Sequence, residues 1–161
     1  MEIYVLRHAI AQEGGPGRPD SERALTSEGR EKLRAVLRRA REAGMAPSLM
    51  LTSPYVRAVQ TAEEAAAALA FQGRIERLRA LEPDGSPDGV WEEIRARKSE
   101  PAILLSGHEP LLSAVVALLL GAPPLQVDMK KAALVRVDCD RFGAQPRGTL
   151  KWMLTPRLAG A

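Results

Sequence analysis

The sequence predicts a three-layer α/β/α sandwich on a mostly parallel central sheet, in one domain spanning residues 1–161. Three observations lead there. Short apolar runs, too brief for helices, alternate along the chain with longer segments whose apolar residues fall at helical spacing. The length of 161 residues suits one hydrophobic core. The composition, 45% hydrophobic and 27% charged, is that of a globular chain, with no internal repeat and no block of like charge.

The elements follow in order. Glu2 to Leu6 is a short apolar, β-branched run and reads as a buried strand ending at Arg7-His8. Gln12 to Asp20 holds Gly14, Gly15, Pro16, Gly17 and Pro19 and reads as a loop. Thr26 or Ser27 then caps a helix whose apolar face is Leu33, Val36, Leu37 and Ala40, and Gly44 stops it. Ser48 to Leu51 is the next strand. Ser53-Pro54 reads as an N-cap followed by proline at the first helical position of a helix running to about Leu69. Arg74 to Leu78 is a strand, Pro83 to Gly89 a turn-rich loop, and Val90 to Lys98 a helix. Pro101 to Leu105 is a buried strand leading through Ser106-Gly107-His108 into a helix with Pro110 in its first turn. Ala132 to Val137 and Thr149 to Leu154 close the chain as strands.

Composition excludes several classes. A net charge of +3, from 23 Lys+Arg against 20 Asp+Glu, tolerates an anionic substrate. Nucleic-acid binding calls for a basic face with stacking aromatics, and aromatics are only 4% of this chain. The longest apolar stretch, around Leu111 to Leu120, is about half the ~20 residues that span a bilayer, so no membrane role is expected. The one cysteine, Cys139, cannot form an internal disulfide. With no export signal at Met1 to His8, it points to the cytoplasm.

In open α/β sheets ligands gather beyond the carboxyl ends of the strands, where loops lead into helix N-termini that favour anions. Three such junctions carry chemistry here. The first strand ends in Arg7-His8, the second leads into T-S-P-Y-V-R-A-V-Q-T-A-E with Arg57 in the first helical turn, and a later strand ends in S-G-H-E-P with His108. Both histidines of the chain and two arginines therefore meet at one edge. Arginine forks hold phosphoryl oxygens bidentately, and a neutral imidazole supplies a nucleophile able to form a covalent phosphoimidazole.

These residues resemble the histidine phosphatase superfamily, which includes the phosphoglycerate mutases. The likeness runs from L-R-H-A through R-A-L-T-S-E-G and T-S-P-Y-V-R-A-V-Q-T-A-E to S-G-H-E-P and K-W-M-L-T-P. In length and arrangement it is most similar to the small bacterial phosphohistidine phosphatases of the SixA type. The resemblance implies a phosphoglycerate mutase-like fold, His8 as nucleophile, and Arg7, Arg57 and His108 as the phosphate pocket. It implies neither cofactor nor metal. The glycine common after the nucleophile is Ala9 here. The proton donor of larger members has no clear motif, and Glu82 in L-E-P-D-G is the candidate by order along the chain. Ser53 is a helix cap that also neighbours the phosphate, and Arg23 either structures its loop or extends the pocket.

Rival motifs fail on their spacing. His108-Glu109-Pro110 begins like a zinc protease helix, but the second histidine position is Leu112. A cysteine phosphatase needs an arginine six residues after Cys139, where Gln145 stands. Gly14 to Gly17 lacks the Lys-Ser/Thr ending of a nucleotide loop. The expected activity is a metal-independent phosphatase. Few residues are left to cover the pocket, so a phosphorylated protein is the leading partner. A small phosphorylated metabolite (a sugar or nucleoside phosphate) and phosphoglycerate mutase-like chemistry are the rivals. A module that binds phosphate without turnover is the alternative of another class.

Overall fold

A computed structural model describes residues 1–161, with six strands and four helices. In chain order they are β1 (Glu2–Arg7), α1 (Ser27–Glu42), β2 (Leu49–Thr52), α2 (Val56–Ala68), β3 (Arg74–Arg77), α3 (Pro87–Arg95), β4 (Ala102–Gly107), α4 (Leu111–Leu119), β5 (Leu134–Asp138) and β6 (Thr149–Leu154). All strands join one sheet in the order β3-β2-β4-β1-β5-β6. The pairs β3·β2, β2·β4 and β4·β1 are parallel, whereas β5 is antiparallel to both β1 and β6. Only β5 therefore runs against the rest, and the mostly parallel α/β/α sandwich is the observed fold.

Helices cover both faces, so the central strands are apolar on both sides rather than alternating with polar residues. Along β1, Ile3 and Val5 face the layer containing Trp91 and Ile94 of α3 and Leu112 and Val116 of α4. Tyr4 and Leu6 face the opposite layer, with Leu33, Val36 and Leu37 of α1 and Ala65 of α2. No helix is long and apolar enough to cross a membrane.

Two helix starts differ from the sequence reading. Helix α2 begins at Val56 with Tyr55 in the cap position, two residues beyond the expected start. The Ser53 hydroxyl is engaged elsewhere, accepting from the Tyr55 N–H at 3.2 Å and lying 2.8 Å from His108 Nε2. Helix α3 starts at Pro87, inside the segment read as loop, because Ser86 caps it through the Gly89 N–H at 3.1 Å. Elsewhere the expected elements are present with ends shifted by a few residues. Thr26 is the cap of α1, and Gly44 takes the left-handed conformation at φ 85° that ends it.

Gly29 explains why T-S-E-G follows the first loop. A Cβ there would stand 2.2 Å from the Ile10 carbonyl oxygen. That same carbonyl accepts the Thr26 N–H at 3.0 Å and the Thr26 hydroxyl at 3.3 Å. The N-terminus of α1 is thereby clamped onto the chain two residues after His8.

Candidate active site

The parallel pairing of β1, β4 and β2 brings their carboxyl ends side by side. Arg7 pairs with Gly107, and Leu6 and Thr52 both pair with Ser106. One residue further on, the His8 N–H donates to the Gly107 carbonyl at 2.9 Å and the Ser53 N–H to the Ser106 carbonyl at 2.9 Å. His8, Ser53 and His108 therefore leave adjacent strands as neighbours. The two imidazoles stand 5.1 Å apart between ring centres, tilted by 57°.

Hydrogen bonds fix the tautomer of His8. Its Nδ1 lies 2.8 Å from the Ala9 carbonyl, which can only accept, so Nδ1 carries the proton. The Nε2 lone pair is left free for Arg57 Nε–H, which donates to it at 3.3 Å. Burial pushes the imidazole down to about 4, opposed by the Ala9 carbonyl and reinforced by Arg57, Arg7 and Lys131. At neutral pH His8 is an uncharged base with its lone pair on Nε2. The Ala9 N–H is held by Thr61 Oγ1 at 3.1 Å, and that hydroxyl donates to the Arg57 carbonyl at 2.7 Å. Thr61 thus links the loop behind the nucleophile to the first turn of α2.

Arg57 is buried and fully engaged. Its terminal nitrogens donate to the Asp20 carbonyl at 2.7 Å and the Asp20 carboxylate at 3.1 Å, and its carbon lies 5.1 Å from the Tyr55 ring centre. Asp20 also accepts from Arg23 Nε at 2.8 Å. Partial burial works against its charge, but the two arginines hold the carboxyl below its ordinary range. Arg23 also donates to the Gln12 carbonyl at 3.0 Å, so it braces the first loop.

His108 is buried and carries no protein partner on Nδ1. Ser53 Oγ accepts from the Tyr55 N–H at 3.2 Å and lies 2.8 Å from His108 Nε2. Burial, then His8 once it is protonated in acid and the Arg57 guanidinium, push this ring down to about 3. Tyr55 meets it edge-on with ring centres 5.1 Å apart. Arg7 donates to the Met129 carbonyl at 2.7 Å, and its buried Nε–H has no protein acceptor. Burial lowers the Arg7 guanidinium from its usual value, partly countered by Glu109 and Asp128. An unmatched buried donor is costly. Two unpartnered buried nitrogens, Arg7 Nε and His108 Nδ1, are thus present at this end of the sheet, where polar oxygens of a ligand can satisfy them.

The structure thus joins His8, Arg57, His108 and Ser53 directly and Arg23 through Asp20, while Arg7 precedes His8 at the end of β1 with its side chain bonded to the Met129 carbonyl. Glu82 stands apart from that network: its carboxylate makes no hydrogen bond or ion pair, and it follows the short turn Arg79–Leu81 after β3. That turn is on the same edge of the sheet, since the Leu81 carbonyl lies 3.4 Å from where a Cβ of Gly107 would stand. Sequence reasoning missed Asp20 and Tyr55. Asp20 closes a loop identified only by its glycines and prolines, and Tyr55 was passed over inside the T-S-P-Y-V-R motif. No cluster of three or more His, Cys, Asp or Glu side chains capable of holding a metal is present.

A neutral imidazole framed by two guanidiniums and a second imidazole at a strand edge defines a phosphoryl-transfer enzyme. The chain belongs to the histidine phosphatase superfamily (branch 1), whose family model matches residues 3–82, and it is a phosphatase. It is 33% identical to an uncharacterized protein of Picosynechococcus sp. over 98% of both chains. It is 29% identical to the phosphohistidine phosphatase SixA of Escherichia coli, over 97% of this chain and 94% of that one. The solved structure of the protein histidine phosphatase SixA complexed with tungstate superposes with a TM-score of 0.85, at 27% identity and 98% coverage of both chains.

Proposed function

We propose that residues 1–161 act as one cytoplasmic catalytic domain that hydrolyses phosphohistidine on proteins, without metal, through a phosphorylated His8. The state of His8 carries the reading. It is buried and neutral, with its proton held on Nδ1 by the Ala9 carbonyl and its Nε2 lone pair beside Arg57. The protein substrate is supported by similarity along nearly the whole chain to proteins named for that activity.

In the first step Nε2 of His8 attacks phosphorus as the bond to the leaving nitrogen breaks. That nitrogen departs with the electron pair and takes up a proton. The phosphoryl oxygens are met by the forks of Arg7 and Arg57 and by the imidazole of His108, groups set where charge develops. Asp20 gives up part of its hold on Arg57 as the oxygens replace it. In the second step water attacks the phosphorus on His8 and loses a proton. The P–N bond returns its pair to Nε2, which restores the neutral imidazole and frees inorganic phosphate.

Incubation with radiolabelled phosphohistidine protein, followed by alkaline denaturation, tests this directly. Base-stable, acid-labile label should appear on the wild type, while His8→Ala should lose both label and turnover. Full turnover in His8→Ala would refute the mechanism.

A further inference from the structure

Beside the active site lies a second feature that phosphoryl chemistry does not use. A cavity of about 580 Å³ opens where the chain entering β5, the first turns of α1 and the segment after β6 converge. Its cations are Arg7, Lys32, Lys130, Lys131 and Arg157. Asp128 is the acidic side chain lining it, and it is paired with Lys130 at 2.8 Å. Lys32 is likewise paired, with Glu28 at 2.8 Å. Lys131 and Arg157 are exposed and make no side-chain ion pair, and although the carboxylate of Ala161 also lines the groove, five cations face two anions there, leaving net positive charge.

The groove is continuous with the catalytic centre. Arg7 lines both, and the residue after Lys131, Ala132, donates its N–H to the His8 carbonyl at 3.2 Å. Lys131 is also among the cations that depress His8. Three of the five cations are lysines, point charges on flexible stems, and the five come from four separate chain segments. A compact second phosphate would call for converging forks or backbone N–H groups. Dispersed lysines instead suit carboxylates distributed along a peptide.

Resting on the phosphohistidine reading, we propose that this groove docks an acidic segment flanking the phosphorylated histidine of the partner protein. Carboxylates in the groove would raise encounter rate and fix which histidine reaches His8, while contributing little to the chemical step.

Two measurements test it. The first is binding of a fluorescein-labelled, unphosphorylated Asp/Glu-rich peptide to the full chain, read by anisotropy at low salt. The second is kcat/KM on phosphohistidine peptides with acidic flanks and with the same flanks changed to Asn/Gln. K131E/R157E should weaken acidic-peptide binding by about tenfold and erase the preference for acidic flanks. Because Lys131 adjoins His8, R157E alone serves as the milder variant, with nitrophenyl phosphate turnover followed alongside. R38E/R39E, on the exposed side of α1, makes the same change in net charge and should leave peptide binding intact. Equal binding of acidic and neutral peptides by the wild type would overturn the groove, as would equal losses in R38E/R39E and K131E/R157E. A charge-dependent peptide site in a protein that does not turn over phosphohistidine would refute the substrate reading and uphold the groove.

Discussion

The Nε–H of Arg57 faces the Nε2 lone pair of His8 across 3.3 Å. The same guanidinium spends its other donors on Asp20, so one planar fork touches the nucleophile and a loop anchor together. A lysine cannot span those directions. Arg57→Lys should therefore fail to rescue Arg57→Ala, each losing on the order of 10²-fold in turnover of nitrophenyl phosphate. A lysine variant near the wild-type rate would show that charge alone suffices.

The two buried imidazoles make folding sensitive to acid. His8 is pushed down to about 4 and His108 to about 3, in each case chiefly by burial. An unfolded histidine takes its proton near pH 6.5. Between these values the unfolded chain binds protons that the folded chain refuses. Their contribution to stability is thus complete above about pH 6.5 and declines as pH falls toward 4 and then 3. Urea midpoints should drop between pH 7 and pH 4.5, and His108→Gln should flatten that slope. Imidazole nitrogen shifts should stay in the neutral range down to pH 5; a titration near 6.5 would contradict this.

Gly29→Ala sets a helix preference against a collision. Alanine is favoured over glycine inside a helix by about 1 kcal/mol. Its Cβ, however, would lie 2.2 Å from the Ile10 carbonyl oxygen, which Thr26 also holds. Backbone cannot give way as a flexible side chain does, so a net loss of about 1–3 kcal/mol is expected. Thermal melts should show it, and turnover should fall as well because Ile10 lies two residues from His8. Unchanged melting would mean that the clamp is loose.

Glu82 is resolved by leaving-group chemistry. An alkoxide needs a proton as it departs, whereas an imidazole leaves readily, its conjugate acid having a pKa of about 6.5. If Glu82 were a general acid, Glu82→Gln would slow an alkyl phosphate by about 10²–10⁴-fold and spare phosphohistidine. The carboxylate has no hydrogen bond or ion pair to fix it, and the expected result is a small, equal loss on both substrates. A large selective loss on the alkyl phosphate would make Glu82 the acid and turn the substrate reading toward phosphomonoesters.

Much of this was legible in the residues because strand periodicity and strand-end motifs are local. Arg7-His8, Arg57 and His108 each sit directly after, or one short turn beyond, an apolar run, so their meeting follows from parallel pairing alone. Asp20 was not legible. It reaches Arg57 across 37 residues from a loop whose path no periodicity encodes. The start of α2 was misplaced because Ser53 has two roles open to it, and the proximity of His108 decides between them. The reversed direction of β5 was equally hidden, since an apolar strand reads the same from either end.

That reversal has a consequence for how such proteins diversify. At the ends of β1, β2 and β4 the outgoing chain must deliver His8, Ser53 and His108 at fixed positions, so an insertion there disturbs the chemistry. Strand β5 enters the sheet at this same edge, and the segment before it supplies Met129, Lys130 and Lys131. Provided the Met129 carbonyl keeps its hold on Arg7, this stretch can be lengthened, shortened or recharged while the other strand exits stay in place. Exchanging the charges of Lys130 and Lys131 in this stretch should therefore change the partner preference while the exits of β1, β2 and β4 keep their geometry.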